Sequence, residues 1–231
     1  MSCPNAVLII GGGLLQVPLV HEAQAFGLLP LVTDGNPHAP AFRVPGVVQP
    51  FVVSTTDVDG HRELTRDLVR MYSVRGVCTA GADVAPTVSA AAGVAGTPGI
   101  PFEVAVRTHN KADVRLTLER AALKSYQPAW LCRHERWTPW LARDVETICG
   151  YPCVVKPLQE RASRGVTLVL EPSAFAPAIR KVLEYGGTYL IEECLTGTEH
   201  SAETIFDSHG EPCWFNVVDR FFSYADGLAI E

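Results

Sequence analysis

Cys153-Val154-Val155-Lys156-Pro157 is a short apolar strand that ends on a lysine, and Gln159-Glu160-Arg161-Ala162-Ser163-Arg164-Gly165 follows it as a hairpin before the next apolar run at Val166. A lysine in that place points from a rigid element into a cleft. The hairpin can fold over a phosphate and offer it N–H groups. The GxxxxGK[ST] spacing of a P-loop is absent, so this is a different phosphate device. The same residues also suit an exposed strand-end lysine beside an ordinary hairpin.

Downstream of this stretch, residues 166–170, 189–192, 201–206 and 214–218 read as strands, with one helix at 173–185 among them. That pattern predicts an α+β domain with an antiparallel sheet. Upstream the style differs. Residues 6–10, 30–34, 48–53 and 76–79 read as strands. They alternate with helices at 14–26, 57–72 (Asp57 as N-cap) and 84–94. Alternation at this spacing predicts an α/β domain: a parallel sheet covered on both faces, Rossmann-like, with its ligand crevice beyond the carboxyl ends of the strands. Gly11-Gly12-Gly13, Thr33-Asp34-Gly35 and Thr79-Ala80-Gly81 fall at those ends. The breaker cluster Gly96-Thr97-Pro98-Gly99-Ile100-Pro101 puts the domain boundary just after it, giving domains 1–104 and 105–231. Between the two styles lie a helix at 111–122, a strand at 128–132 and a helix opened by Thr138-Pro139. The first of these helices is charged on one side and carries Val114, Leu118 and Ala122 on the other.

Two further segments carry candidate chemistry. The triple glycine, after a strand and before a helix, permits close backbone approach to an anion, and Asp34 ends the second strand where a ribose-binding acid sits in dinucleotide folds. The full GxGxxG spacing is missing, and a tight turn that needs glycine fits equally. In Leu190-Ile191-Glu192-Glu193-Cys194-Leu195, acidic residues interrupt an apolar strand, which is costly unless they are paired or face a ligand. A solvated edge strand is the alternative. Glu199, after the turn at Gly197, is placed to take a ribose hydroxyl pair.

Composition narrows the classes. The hydrophobic fraction is 47% and the charged fraction 19%, enough for a real core. The formal charge is −6 with no basic run, which argues against a nucleic-acid surface but not against a nucleotide. No apolar stretch is long enough to span a bilayer, and the N-terminus lacks a basic leader. The seven scattered cysteines predict reduced thiols in a cytoplasmic protein. The seven histidines show no metal-ligand spacing, and His109 reads as a surface residue at a helix start.

In order along the chain, these motifs resemble the ATP-grasp superfamily, in the branch of carbamoyl phosphate synthase and biotin carboxylase-like ligases. The resemblance covers nearly the whole chain. Gln16-Val17-Pro18, Asp34-Gly35-Asn36-Pro37 and Thr79-Ala80-Gly81-Ala82-Asp83 look like the pre-ATP-grasp domain; Gly99-Ile100-Pro101 and Asn110-Lys111 look like the crossing into the ATP-grasp domain. The resemblance implies ATP held between the two domains. Lys111 would touch the α-phosphate, with Lys156 as the second nucleotide lysine. Gln159, Ser163, Arg164 and Gly165 would belong to a loop closing over the β- and γ-phosphates. Glu192, Glu193 and Leu195 would form the adenine hinge, and Glu199 would bind the ribose. It further implies ligation of a small carboxylate to an amine through an acyl phosphate. The carboxylate and the nucleophile are not named by any motif, and no catalytic residue is assigned.

The family's Mg²⁺ ligands lie in the last part of its fold, and the sequence here stops near the middle of the ATP-grasp domain, at Ile230-Glu231. That predicts a C-terminally incomplete ATP-grasp domain without its metal ligands, not competent as a ligase alone, and open to homo-oligomerisation or to completion by a missing segment. A non-catalytic or split nucleotide-binding module is the alternative. An NAD-dependent oxidoreductase explains Asp34 and the glycines but not Lys156 or the Glu192 segment.

Overall fold

The computed structural model describes residues 3–121, 128–134, 136, 138–160, 163–221, 223–225 and 228–230. Two compact units divide the chain, Met1–His109 and Asn110–Glu231.

In the first unit, β1 (Asn5–Ile10), β2 (Leu29–Asp34), β3 (Phe51–Val52) and β4 (Ser73–Cys78) form a wholly parallel sheet in the order β3-β2-β1-β4. The central strand feeds two cores. Ala6, Leu8 and Ile10 pack with Leu31, Leu68 and Ala91, while Ile9, one step out of phase, packs with Val20, Val32 and Ala41. A strand buried on both faces must be apolar along its buried length, and β1 is from Ala6 to Ile10. The helices are α1 (Val17–Ala25), α2 (Val58–Met71), α3 (Ala85–Ala95) and α4 (Phe102–Thr108). Val20 sets α1 against one face of the sheet; Leu68 and Ala91 set α2 and α3 against the other.

Three details depart from the sequence reading. The helix expected at 14–26 is a 3-10 turn, Leu14–Gln16, followed by α1, because Pro18 is suited to a first helical turn and not to an interior one. The strand expected at 48–53 shrinks to Phe51–Val52, an edge strand preceded by Pro50, which has no N–H for a ladder. The helix Phe102–Thr108, opened by Pro101, is hidden in the sequence behind the breaker cluster.

Asp57 caps α2 by accepting the Gly60 N–H at 2.9 Å. The carbonyl of Asp57 also accepts from His61 Nδ1 at 2.8 Å, and this leaves His61 Nε2 to accept from the Thr33 hydroxyl at 2.8 Å. His61 is fully buried, and burial lowers its pKa more than Asp57 raises it. Asp57→Ala is expected to cost about 1 kcal/mol, lowering the calorimetric Tm by about 2–4 °C.

In the second unit the elements are α5 (Lys111–Arg120), β5 (Trp130–Arg133), α6 (Pro139–Ile148), β6 (Cys153–Pro157), β7 (Thr167–Val169), α7 (Phe175–Leu183) and β8 (Tyr189–Glu193), followed by β9 (His200–Phe206), β10 (Pro212–Asp219), β11 (Ser223–Ala225) and β12 (Leu228–Ile230). β5-β8-β6-β7 form an antiparallel sheet in that order; β9 pairs with β10 and β11 with β12, also antiparallel. One face of the four-stranded sheet is core. Leu131, Cys153, Val155, Val169, Tyr189 and Ile191 pack against Leu141 and Val145 of α6 and against Phe175, Ala178, Ile179 and Val182 of α7. The α7 residues follow the i, i+3, i+4, i+7 spacing of a single helical stripe. Thr138 caps α6 through the Leu141 N–H at 3.2 Å, with Pro139 in the first turn. Alternation along the strands puts Val154, Lys156, Leu190 and Glu192 on the opposite face.

Candidate nucleotide site

Glu192 is not on an edge. Its strand, β8, lies between β5 and β6, and only 5% of the residue's surface is exposed. The solvated-edge alternative therefore fails. A buried carboxylate needs partners, and Glu192 has two. Arg115 Nε donates to its Oε1 at 2.6 Å, and the Lys156 ammonium pairs with its Oε2. The sheet register explains the lysine: Val154 stands opposite Glu192 and Lys156 opposite Leu190, so Lys156 is the diagonal neighbour on the same face.

Helix α5 supplies the rest. Lys111, Arg115 and Glu119 are spaced i, i+4, i+8, one stripe of one helix, and each bonds outside it. Lys111 Nζ donates to the carbonyls of Leu158 and Glu160 at 3.2 and 2.7 Å, and its main-chain N–H to Leu158 at 3.3 Å. Glu119 accepts from the Trp130 indole N–H. The helix starts at Asn110, whose side chain accepts from Ala112 and Asp113. It is thus held over the sheet by polar bonds, with its charged stripe facing in.

Burial pushes the Glu192 carboxyl up, but the Arg115 hydrogen bond and the Lys156 charge outweigh it and hold the acid below the usual carboxylate range. Two cations sharing one buried carboxylate leave the cluster net positive, which favours an anion. The turn that Lys111 holds leads into the loop at 159–165. Gln159, Ser163 and Arg164 are exposed there, while Arg161 and Ala162 lie outside the described residues. Gly165 is buried at φ +72°, and a Cβ on it would come within 2.7 Å of Tyr185 and 2.8 Å of Pro157. Only glycine lets the loop close back on that ring. Gln159 lines a cleft of about 340 Å³ with Asn110, Leu158, Tyr185 and the Gly186-Gly187 turn.

Leu195 and Glu199 line a second cleft, of about 440 Å³, with His200, Asp219 and Arg220. Glu199 is engaged by Arg220 at 2.6 Å. His200 bonds Asp219, its register partner across β9 and β10, at 2.8 Å, and the nearby Thr198 hydroxyl at 3.0 Å. Glu193 pairs with Ala129: its main-chain N–H donates at 2.9 Å, and its side chain accepts at 3.3 Å. Lys111, Lys156 and Glu192 thus gather on α5 and one sheet face, while Leu195 and Glu199 meet in the second cleft.

Sequence reading misses Arg115. The signal is its spacing, four residues after Lys111 and so on the same helical face. It also misplaces His109, which ends α4 mostly buried and paired with Asp83 at 3.3 Å, because the helix before it goes unrecognised. Asp34 is taken up locally: Oδ2 accepts the Gly12 N–H and Oδ1 the Asn36 N–H, both at 2.7 Å. That geometry favours the tight-turn reading over a ribose-binding acid. All seven cysteines are free, and no described helix is long and apolar enough to cross a membrane. Among the described residues no three His, Cys, Asp or Glu side chains are grouped to hold a metal ion. The cations gathered at the buried carboxylate are Arg115 and Lys156, with Lys111 on the same helical stripe as Arg115.

The profile of the family described as the ATP-grasp domain matches residues 149–230. Over those residues the chain is similar to the ATP-grasp domain. The matched stretch comprises the Lys156 strand, the loop, β8 and the β9–β10 ribbon. The formate-dependent phosphoribosylglycinamide formyltransferase of Burkholderia pseudomallei (strain 668) is 29% identical over 182 residues, covering 78% of this chain and 43% of that protein. The N5-carboxyaminoimidazole synthetase from Staphylococcus aureus, solved with ADP, superposes with a TM-score of 0.75 at 15% identity, over 99% of this chain and 57% of that one. The L-amino acid ligase from Bacillus licheniformis gives a TM-score of 0.66 at 21% identity, over 95% and 50%. The fold is thus the mixed α/β architecture of these solved structures, and the chain spans about half the length of the proteins it matches.

Proposed function

We propose that this chain binds ATP on the face of β6 and β8 that carries Lys156 and Glu192, as the nucleotide-holding part of an ATP-dependent carboxylate–amine ligase that works through an acyl phosphate. The observation that carries the reading is the buried Glu192 carboxylate shared by Arg115 and Lys156. Lys156 sits at a strand end on a four-carbon stem, so it can exchange the carboxylate for a phosphate. Glu192 and the hinge at Glu193 and Leu195 take the base, Lys111 and the loop at 159–165 take the phosphates, and Glu199 takes the ribose. Phosphoryl transfer of this kind depends on positioning and charge neutralisation rather than on covalent protein chemistry. The acceptor is a small carboxylate.

Thermal-shift titration with ATP, ADP and NADH tests the binding. Adenine nucleotides at about a hundred times Kd are expected to stabilise the chain by about 2.7 kcal/mol. Equal shifts with NADH, or none with ATP, would overturn the reading.

A further inference from the structure

Arg115 can do something the nucleotide lysines cannot, provided that ATP binds at this site as proposed. We propose that Arg115 is a positioning residue: it keeps Glu192 a fixed hydrogen-bond acceptor while the nucleotide is bound, and so makes the site prefer adenine to a 6-oxopurine.

The two carboxylate oxygens are divided, Oε1 to Arg115 and Oε2 to Lys156. When phosphates recruit Lys156, only one of those partners stays. Arg115 is the partner suited to stay: its guanidinium does not lose its charge, its donors have a fixed geometry, and it projects from a helix held by polar bonds on either side, at Lys111 and at Glu119. The acid needs that anchor, because burial favours its neutral form. An ionised carboxylate accepts from the 6-amino group of adenine and repels the 6-carbonyl of hypoxanthine or guanine. A neutral carboxyl carries an O–H and can donate to that carbonyl, so losing the anchor would erase the preference. The other groups around Glu192 do not replace it. Trp130 on β5 stands opposite in register and Glu193 follows on the same strand. The Cys149 thiol at the end of α6 is pushed up to about 11 by burial and stays neutral.

The test uses the intact chain and two probes, ATP and inosine triphosphate, with affinities measured by calorimetry from about pH 5.5 to 8.5, above the ordinary carboxylate range. Wild type is expected to prefer ATP by about tenfold or more with a flat pH profile. In Arg115→Met the ratio should approach one at the acid end, with ATP affinity recovering as pH rises; Arg115→Lys should restore most of the preference. A ratio within about twofold of wild type and a flat profile in Arg115→Met would overturn the proposal. If Arg115→Met does not fold, Arg115→Met/Glu192→Gln removes both charges. It should then match the ATP-to-inosine ratio of Glu192→Gln alone, and a further loss would count against the proposal. The underlying site fails separately. It falls if wild type binds no ATP, or if Lys156→Met binds ATP as well as wild type. Arg115 alone is at fault if both of those behave as expected while the ratio does not move.

Discussion

Lys156→Met is expected to weaken ATP binding by about a hundredfold, the largest single effect on the site. A hydrogen bond to a charged group is worth about 1.5–3 kcal/mol, and about 1.4 kcal/mol is a factor of ten. In the proposed site Lys156 meets the phosphates as a full positive charge, so the upper part of that range applies. Methionine keeps the apolar stem against the sheet, so the loss reports the charge rather than packing. Arg115 still pairs with Glu192 in this variant, and the fold should persist. Calorimetric titration beside circular dichroism separates the two outcomes. An unchanged ATP affinity in a folded Lys156→Met protein would remove Lys156 from the site.

Glu192→Ala is expected to have the largest effect on stability, about 3 kcal/mol. Deleting one member of a buried ion pair leaves its partner uncompensated, which costs about 3–5 kcal/mol. Arg115 and Lys156 keep side-chain exposures of 23% and 20%, so water relieves part of that cost and the lower end applies. The pH dependence identifies the cause. The folded-state pKa of Glu192 is depressed, so its contribution is fully present above the unfolded value of about 4.3 and is lost as pH falls through the folded value. Wild type and Glu192→Gln should therefore differ at neutral pH and converge in acid. His61 acts in the other unit and in another window. It is buried with a lowered pKa, so the unfolded chain gains its proton first, and stability begins to fall below about pH 6.5. Urea denaturation from about pH 3 to 8, run on wild type and Glu192→Gln, separates the two slopes. A difference between them that does not change with pH would remove the ion pair as its source.

How much of this is legible in the sequence depends on what each signal measures. The parallel sheet of the first unit can be read because its strands alternate with helices long enough to cross over. The antiparallel sheet shows itself because strand after strand follows Cys153 with a single helix, at 173–185, among them. Lys156 and Glu192 stand out because a charge in an apolar strand demands a reason. The sequence does not say that they answer each other, because that depends on which strand lies beside which. β6 and β8 are separated in sequence by β7 and α7, and the order β5-β8-β6-β7 is not written in any local pattern. Arg115 escapes for a related reason. On its own helix it looks like ordinary solvent-facing charge, and only the sheet beneath turns it inward. The helix at 102–108 escapes because Pro101 reads as an end when it is a start.

Trp130 gives one of these contacts an optical meaning. Its indole N–H is held by Glu119 of α5, and its backbone stands opposite Glu192 across the ladder. The chain therefore carries a chromophore wired to both the helix and the strand that would grip a nucleotide. Any movement of the Glu192 charge, or any loosening of α5, changes the electric field at that ring and so the colour of its emission. Occupancy of the proposed site is expected to shift that emission, read as the difference from a Trp130→Phe chain that keeps the other three tryptophans.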